Sequence, residues 1–154
     1  IMLGEGTKDI KLLLVGDGER RQDIEQWIIQ FNLSEHVKML GRRSDIPEIL
    51  SAADVFVSSS CYEGFPLVIG EAMASSLPVI TTNAGGSAEW LGDKTSVVPI
   101  SDSKKLASVM KAFHEMGDAD RRSIGSRNRT RVEKKFSFEV IACQWLKLYS
   151  GVNS

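Results

Sequence analysis

Cysteine, histidine, proline and net charge are all scarce in this sequence, and each scarcity removes a class of function. The 154 residues hold two cysteines, two histidines and four prolines, with 19 basic against 20 acidic residues for a net charge of -1. Cys61 and Cys143 stand alone, without a CxxC or metal-ligand spacing, which favours free thiols in a cytosolic protein over a disulfide framework. His36 and His114 fall near different predicted helix ends, so neither a His-rich zinc site nor a Ser-His-Asp triad has support. A chain so nearly neutral advertises neither nucleic acid nor an anionic membrane, and any anionic ligand must be held locally. No apolar run approaches the roughly 20 residues that a membrane-spanning helix needs. The opening IMLGEG lacks a basic stretch followed by an apolar one, so no signal peptide is expected, and a start at Ile1 just ahead of Met2 reads as the edge of a fragment.

What is present is ordinary globular material, 42% hydrophobic and 25% charged, of a length that suits one domain. Residues 11–15 (KLLLV) form a short apolar run ended by Gly16-Asp-Gly18, and behind it Ile24, Trp27, Ile28 and Phe31 recur at helical spacing. Residues 37–41 predict a second strand, and Ile46, Ile49, Leu50 and Ala53 mark a short helix with Pro47 in its first turn. Strands are predicted at 54–58, 78–82 and 95–100, with a helix over 66–76. Leu106, Val109, Met110 and Phe113 mark a further helix, and residues 121–149 read as two more, broken near Phe136-Ser137-Phe138. Strands alternating with helices imply crossover connections. The fold class expected is therefore α/β, a Rossmann-like three-layer domain whose mostly parallel sheet is covered on both faces.

Ligands of such sheets bind beyond the carboxyl ends of the strands, where loops enter helices. The most informative loop is SSSCYEGFP at residues 58–66, which leaves a strand and enters a helix with Pro66 at its start. The first amides of that helix lack partners and carry the positive end of the dipole, so they suit a phosphate or diphosphate, and Gly64 allows close backbone approach. Glu63 and Glu71 flank the helix start, and a carboxylate can accept two hydrogen bonds from a vicinal diol. A phosphate cradle bracketed by two diol acceptors is what a sugar nucleotide requires. The plainer alternative is that Glu63 favours the helix dipole and Glu71 is a solvated helix residue.

The segment EGFPLVIGEAMASSLPVITTNAGGSAE, residues 63–89, resembles the signature of retaining glycosyltransferases of family 4, also called glycosyltransferase group 1. The likeness runs through Glu71-Ala72-Met73-Ala74, Leu77-Pro78-Val79 and Gly85-Gly86-x-x-Glu89. It continues upstream at residues 15–18 and 37–41, and downstream at Phe136-Ser137-Phe138-Glu139 and residues 145–149. The resemblance implies the C-terminal, donor-binding half of a GT-B fold, transferring a sugar with retention and without a metal or other cofactor. It assigns Glu63 as the catalytic-site residue facing the donor sugar and Glu71 to the ribose diol. Backbone at Gly64, Phe65, Pro66 and Leu67 would hold sugar and diphosphate. The nucleobase would meet the loop near Arg43, with Asp45 as an edge contact, and Gly16 or Gly18 would approach the diphosphate. The donor is a nucleotide-sugar, with a UDP-sugar ranked ahead of a GDP-sugar. The acceptor is a glycan or lipid-linked molecule, as in cell-surface polysaccharide synthesis, and the parent would be cytoplasmic with peripheral association at the inner face of the membrane.

Other motifs carry less. Gly16-Asp17-Gly18 begins a dinucleotide fingerprint, but Arg21 stands where the third glycine should be. Asp118-Ala119-Asp120 has the metal-binding DxD form yet falls in a polar stretch between predicted helices, so it reads as a surface turn. The basic run from Arg121 to Lys135 reads as a solvated face. Trp27, Trp145 and Tyr149 read as core or interface aromatics. Gly85-Gly86 reads as a turn near the sugar, and Glu89 as structural.

The chain is expected to be a single nucleotide-sugar-binding domain over 1–154, truncated at its N-terminus and lacking the acceptor domain. Its family normally opens this domain with a strand carrying an arginine and then a lysine that neutralise the diphosphate, and ten residues before Lys11 are too few for that strand and its crossover helix. In the order 3-2-1-4-5-6 the absent strand is central, which leaves a gap between the strands at 11–15 and 54–58. Either those two pair directly, or another segment or chain fills the slot, or the fold needs further residues. The isolated chain is accordingly expected to have little transferase activity. The other reading is a catalytically incomplete nucleotide-sugar-binding module, or a subunit of a split transferase.

Overall fold

The computed structural model of the chain describes residues 10–92 and 94–151, so the reading of the first residues lies outside the described ones. The chain divides into two compact units, Ile1–Ile46 and Pro47–Ser154.

In the first unit, β1 (Leu12–Val15) leads through a turn to α1 (Arg21–Gln30), which returns to β2 (Val37–Gly41). The strands are parallel, with Leu12 opposite Val37 and Leu14 opposite Met39, and the register slips where Val15 faces Gly41. That slip is possible because Gly41 adopts φ 65 and Gly16 φ 119, conformations that a Cβ disfavours. The Gly16 amide then donates to the Gly41 carbonyl at 2.8 Å, tying the two strand ends together. Asn32, at φ 53, turns the chain out of α1 in the left-handed conformation common after a helix. The apolar spacing of α1 does not make a core: no described residue of this unit is buried, Trp27 is 47% exposed and Phe31 59%. Two strands and one ten-residue helix offer each other too little apolar surface to cover these side chains.

The second unit carries the core. It runs α2 (Ile46–Ser51), β3 (Phe56–Ser58), α3 (Leu67–Ala74), β4 (Val79–Thr82), α4 (Ser87–Trp90), β5 (Val97–Val98), α5 (Ser103–Glu115), α6 (Asp118–Lys135) and α7 (Phe138–Gly151). Its sheet has the order β3-β4-β5, all parallel, with Phe56 opposite Val79 and Thr82 opposite Val98. Every residue of the central strand β4 is buried. On one face Ile80 joins Val98, Val109 and Phe113, ringed by Val55, Val57, Leu106, Met110 and Ile124, so α5 and α6 cover that side. Val79 and Thr81 alternate to the other face and are equally buried. The helix α3 packs on β3 and β4 through Ile69, Ala72 and Met73, all at 0% exposure. Each such side chain contributes about 1.5–3 kcal/mol by leaving water, except the smaller Ala72.

The strands thus fall into two sheets, β1-β2 in the first unit and β3-β4-β5 in the second. Two further expectations are corrected. Asp118 and Asp120 are not in a turn between helices but in the first turn of α6, where a carboxylate favours the dipole and Asp118 pairs with Arg121. Trp145 and Tyr149, expected as core or interface aromatics, stack on each other with ring centroids 5.8 Å apart and are 53% and 63% exposed. The basic run is not one solvated face either. Arg121 gives a guanidinium nitrogen to the carbonyls of Phe113, His114 and Met116, closing the end of α5, and Arg131 is likewise taken up by backbone.

Candidate functional site

The sheet of the second unit presents two neighbouring strand ends, those of β3 and β4, and each runs into a loop followed by a helix. The loop after β3 holds Glu63 and Gly64; the loop after β4 holds Gly85 and Gly86. They lie against each other. The Gly86 amide donates to the Gly64 carbonyl at 2.8 Å, and a Cβ on Gly85, whose φ is 50, would stand 1.8 Å from the Glu63 carbonyl oxygen. Only glycine permits that approach.

Glu63 is half-buried and its carboxylate is held. Ser60 Oγ donates to Glu63 Oε1 at 2.7 Å, and the carbonyl of the same serine accepts from Thr82 Oγ1 at 2.6 Å. Thr82 is 4% exposed at the end of β4, so the sheet itself fixes the serine and the serine aims the glutamate. Substituting Ser60→Ala is expected to leave the melting temperature within about 2 °C while weakening whatever Glu63 binds by about tenfold, the worth of one charge-assisted hydrogen bond. Thermal melts paired with ligand titration check both halves, and a large stability loss would show the serine to be structural.

Immediately after this loop, Pro66 enters α3 with φ -72 and ψ 107 and no side chain caps the helix. The first amides of α3 therefore lack an intrahelical partner and point out of the end of the helix. Leu67 is 67% exposed, which leaves that end open, and Gly64 has nothing within 4 Å of where a Cβ would stand. Glu71 is exposed on the same helix. Behind the loop, Phe65 stacks on Trp90 at 4.6 Å, and Trp90 meets Phe136 in a tilted pair at 4.5 Å. The indole also lies against Gly70, where a Cβ would come within 2.4 Å of it.

Glu63, Gly64, Phe65, Pro66, Leu67 and Glu71 are thus gathered on one loop and one helix. Gly16, Gly18, Arg43 and Asp45 belong to the first unit. There Gly18 closes a tight turn by donating to Asp17 Oδ1 at 2.9 Å, and Arg43 Nε donates to Asp45 Oδ1 at 2.8 Å. That side-chain hydrogen bond raises the Arg43 pKa and lowers that of Asp45, so both stay charged. Sequence reasoning missed Ser60, Thr82, Trp90 and Arg131. A serine three residues before Glu63 was the one visible signal, since a short hydroxyl at that spacing reaches back across a loop. Among the described residues no group of three or more His, Cys, Asp or Glu comes together.

Parallel strands alternating with helices, with polar loops at the carboxyl ends, define a Rossmann-like α/β protein of the kind found as the C-terminal domain of GT-B glycosyltransferases. The chain belongs to the glycosyl transferases group 1 family, whose model matches residues 3–131. It is 33% identical over 147 residues to the N-acetyl-alpha-D-glucosaminyl L-malate synthase of Bacillus anthracis, covering 94% of this chain and 38% of that protein. Among solved structures it resembles Anabaena Alr3699/HepE in complex with UDP, with a TM-score of 0.82 and 29% identity over 92% of this chain and 41% of the other. The same protein in complex with UDP-glucose gives a TM-score of 0.80 with the same identity and coverage. The chain thus spans about two fifths of the length of these relatives. No described helix is long and apolar enough to cross a membrane.

Proposed function

We propose that this chain is the donor-binding part of a retaining glycosyltransferase of family 4, and that it holds a nucleotide-sugar, a UDP-sugar ahead of a GDP-sugar, for transfer to a glycan or lipid-linked acceptor. The observation that carries the reading is the carboxylate of Glu63, anchored through Ser60 to the sheet and set beside the open, uncapped start of α3. The complexes of the Anabaena protein with UDP and UDP-glucose support the choice of donor.

In this reading the amides at the start of α3 take the diphosphate, whose charge grows as the glycosidic bond breaks, so they bind the transition state more strongly than the ground state. Glu63 meets the sugar hydroxyls and Glu71 the ribose diol. The acceptor and the remaining cationic partners of the diphosphate belong to the further part of a longer enzyme, working in the cytoplasm against the inner face of the membrane. By itself this chain turns over slowly or not at all.

Calorimetric titration with UDP, GDP and UDP-glucose tests the proposal. Glu71→Ala is expected to weaken UDP and UDP-glucose alike by about tenfold or more, the loss of a charged acceptor for a diol. Glu63→Ala should spare UDP and lower only the affinity for UDP-glucose. Equal and negligible effects of the two substitutions, on a wild type that binds, would overturn the assignment of roles.

A further inference from the structure

The site loop is fastened on a second side, from a residue on α6. Arg131, in the last third of α6, donates Nε to the carbonyl of Trp90 at 2.6 Å and a terminal guanidinium nitrogen to that of Glu89 at 3.0 Å. These are carbonyls at the end of α4, where a helix has no further amides to satisfy them. The guanidinium also sits 5.9 Å from the centre of the Phe136 ring, and its stem packs against Gly92. A planar fork of donors can reach both carbonyls at once.

What Arg131 holds leads straight to the site. Trp90 is the last residue of α4, and its indole forms a three-ring cluster with Phe65 and Phe136, which also touch each other at 6.0 Å. Phe65 follows Gly64, whose carbonyl accepts from Gly86 just before α4. The ring of Phe65 in turn presses on Gly86, where a Cβ would come within 2.7 Å of it. The short helix is therefore clamped to the loop at both ends, by Gly86 at its start and by Trp90 at its finish. With four residues, α4 cannot hold its own geometry, and outside contacts must do so.

We infer that Arg131 is a positioning residue for the donor site: by locking the end of α4 it sets the place of the Trp90 indole and, through Phe65, the place of Glu63 and Gly64 against the donor sugar. The inference rests on the donor-site reading above and extends it to a residue on another helix. Glu71 follows Gly70, which the indole touches, but the backbone hydrogen bonds of α3 hold it in place, so loosening the clamp affects sugar recognition more than nucleotide recognition.

The experiment compares Arg131→Met, which keeps the stem but removes the donors, with Arg131→Lys, which restores one donor, and with Arg129→Lys as a control on the same helix. Two quantities are read on the 154-residue chain: amide hydrogen exchange over residues 60–66 and 84–90, and the ratio of affinities for UDP-glucose and UDP. Arg131→Met is expected to speed exchange in both segments and to lower the ratio about tenfold with UDP affinity within about twofold, Arg131→Lys is expected to lie between it and wild type, and the control should change nothing. Faster exchange with an unchanged ratio would make Arg131 merely structural and overturn the inference, as would unchanged exchange. A wild type that binds neither probe would sink the donor-site reading, and the positioning role with it, even where exchange responds as expected.

Discussion

Gly85→Ala is expected to displace the Glu63 loop and to abolish discrimination of the sugar, while also lowering stability by several kcal/mol. Two costs add at this position. The residue sits at φ 50, a left-handed conformation that costs a non-glycine residue about 1–2 kcal/mol. The new methyl would also lie 1.8 Å from the Glu63 carbonyl oxygen, and within 2.8 Å of its carbon. These are backbone atoms, not the yielding end of a side chain, so the loop must move by more than an ångström, and overpacking of this kind costs about 1–3 kcal/mol more. The movement pulls on the hydrogen bond between Gly86 and Gly64 and on the bond from Ser60 that aims the carboxylate. Gly64→Ala is the informative contrast, because its Cβ would meet nothing within 4 Å. That variant should melt like wild type and reveal in titration whether ligand needs the space. A Gly85→Ala protein with unchanged melting temperature and unchanged UDP-glucose affinity would refute the account of the two stacked loops.

Gly125→Ala should be more damaging still to folding, although nothing about its place in a helix predicts that. In an exposed helix the change from glycine to alanine gains about 1 kcal/mol. Here α6 crosses the turn after α3 so closely that a Cβ would lie 1.8 Å from the carbonyl oxygen of Ser76 and 2.7 Å from its carbon. Ser76 has φ 60 and lies in the turn between α3 and β4, so it has little room to retreat. Pushing α6 away also breaks the hydrogen bond from Asn128 Nδ2 to the Leu77 carbonyl, at 2.8 Å, and weakens the grip of Arg131 on α4. These three residues recur every three positions, so they form the stripe by which a highly polar helix docks. A loss of about 3 kcal/mol or more is expected, a large part of the stability of a typical domain. Denaturant midpoints for Gly125→Ala and for Ser126→Ala, its exposed neighbour, check this. Equal midpoints would show that the helix can shift at no cost.

The two cases divide along what a sequence can carry. The strand β4 was legible because a run of apolar and β-branched residues between turns has few other solutions, and α3 because Pro66 and the apolar residues after it announce a helix start. Glu63 and Glu71 could be read as a candidate pair for a related reason: both lie on one local unit, a loop and the helix it enters. The helix α4 was not, since four residues carry no periodicity and their conformation is imposed by Gly86, Phe65 and Arg131. Trp27 and Phe31 announced the helix α1 but not their exposure, because helical spacing shows which residues share a face and not whether anything lies against it.

By itself, then, the sequence determined the class of fold, the order of most elements and the loop and helix that make the candidate site, all of which follow from local pattern. Only the tertiary structure decided how the glutamate is aimed, which glycines are indispensable and why a polar helix is held so tightly. Those properties come from contacts between segments far apart in the chain. At Gly85 and Gly125 they depend on the absence of a side chain, whose consequence exists only once another piece of backbone occupies the space.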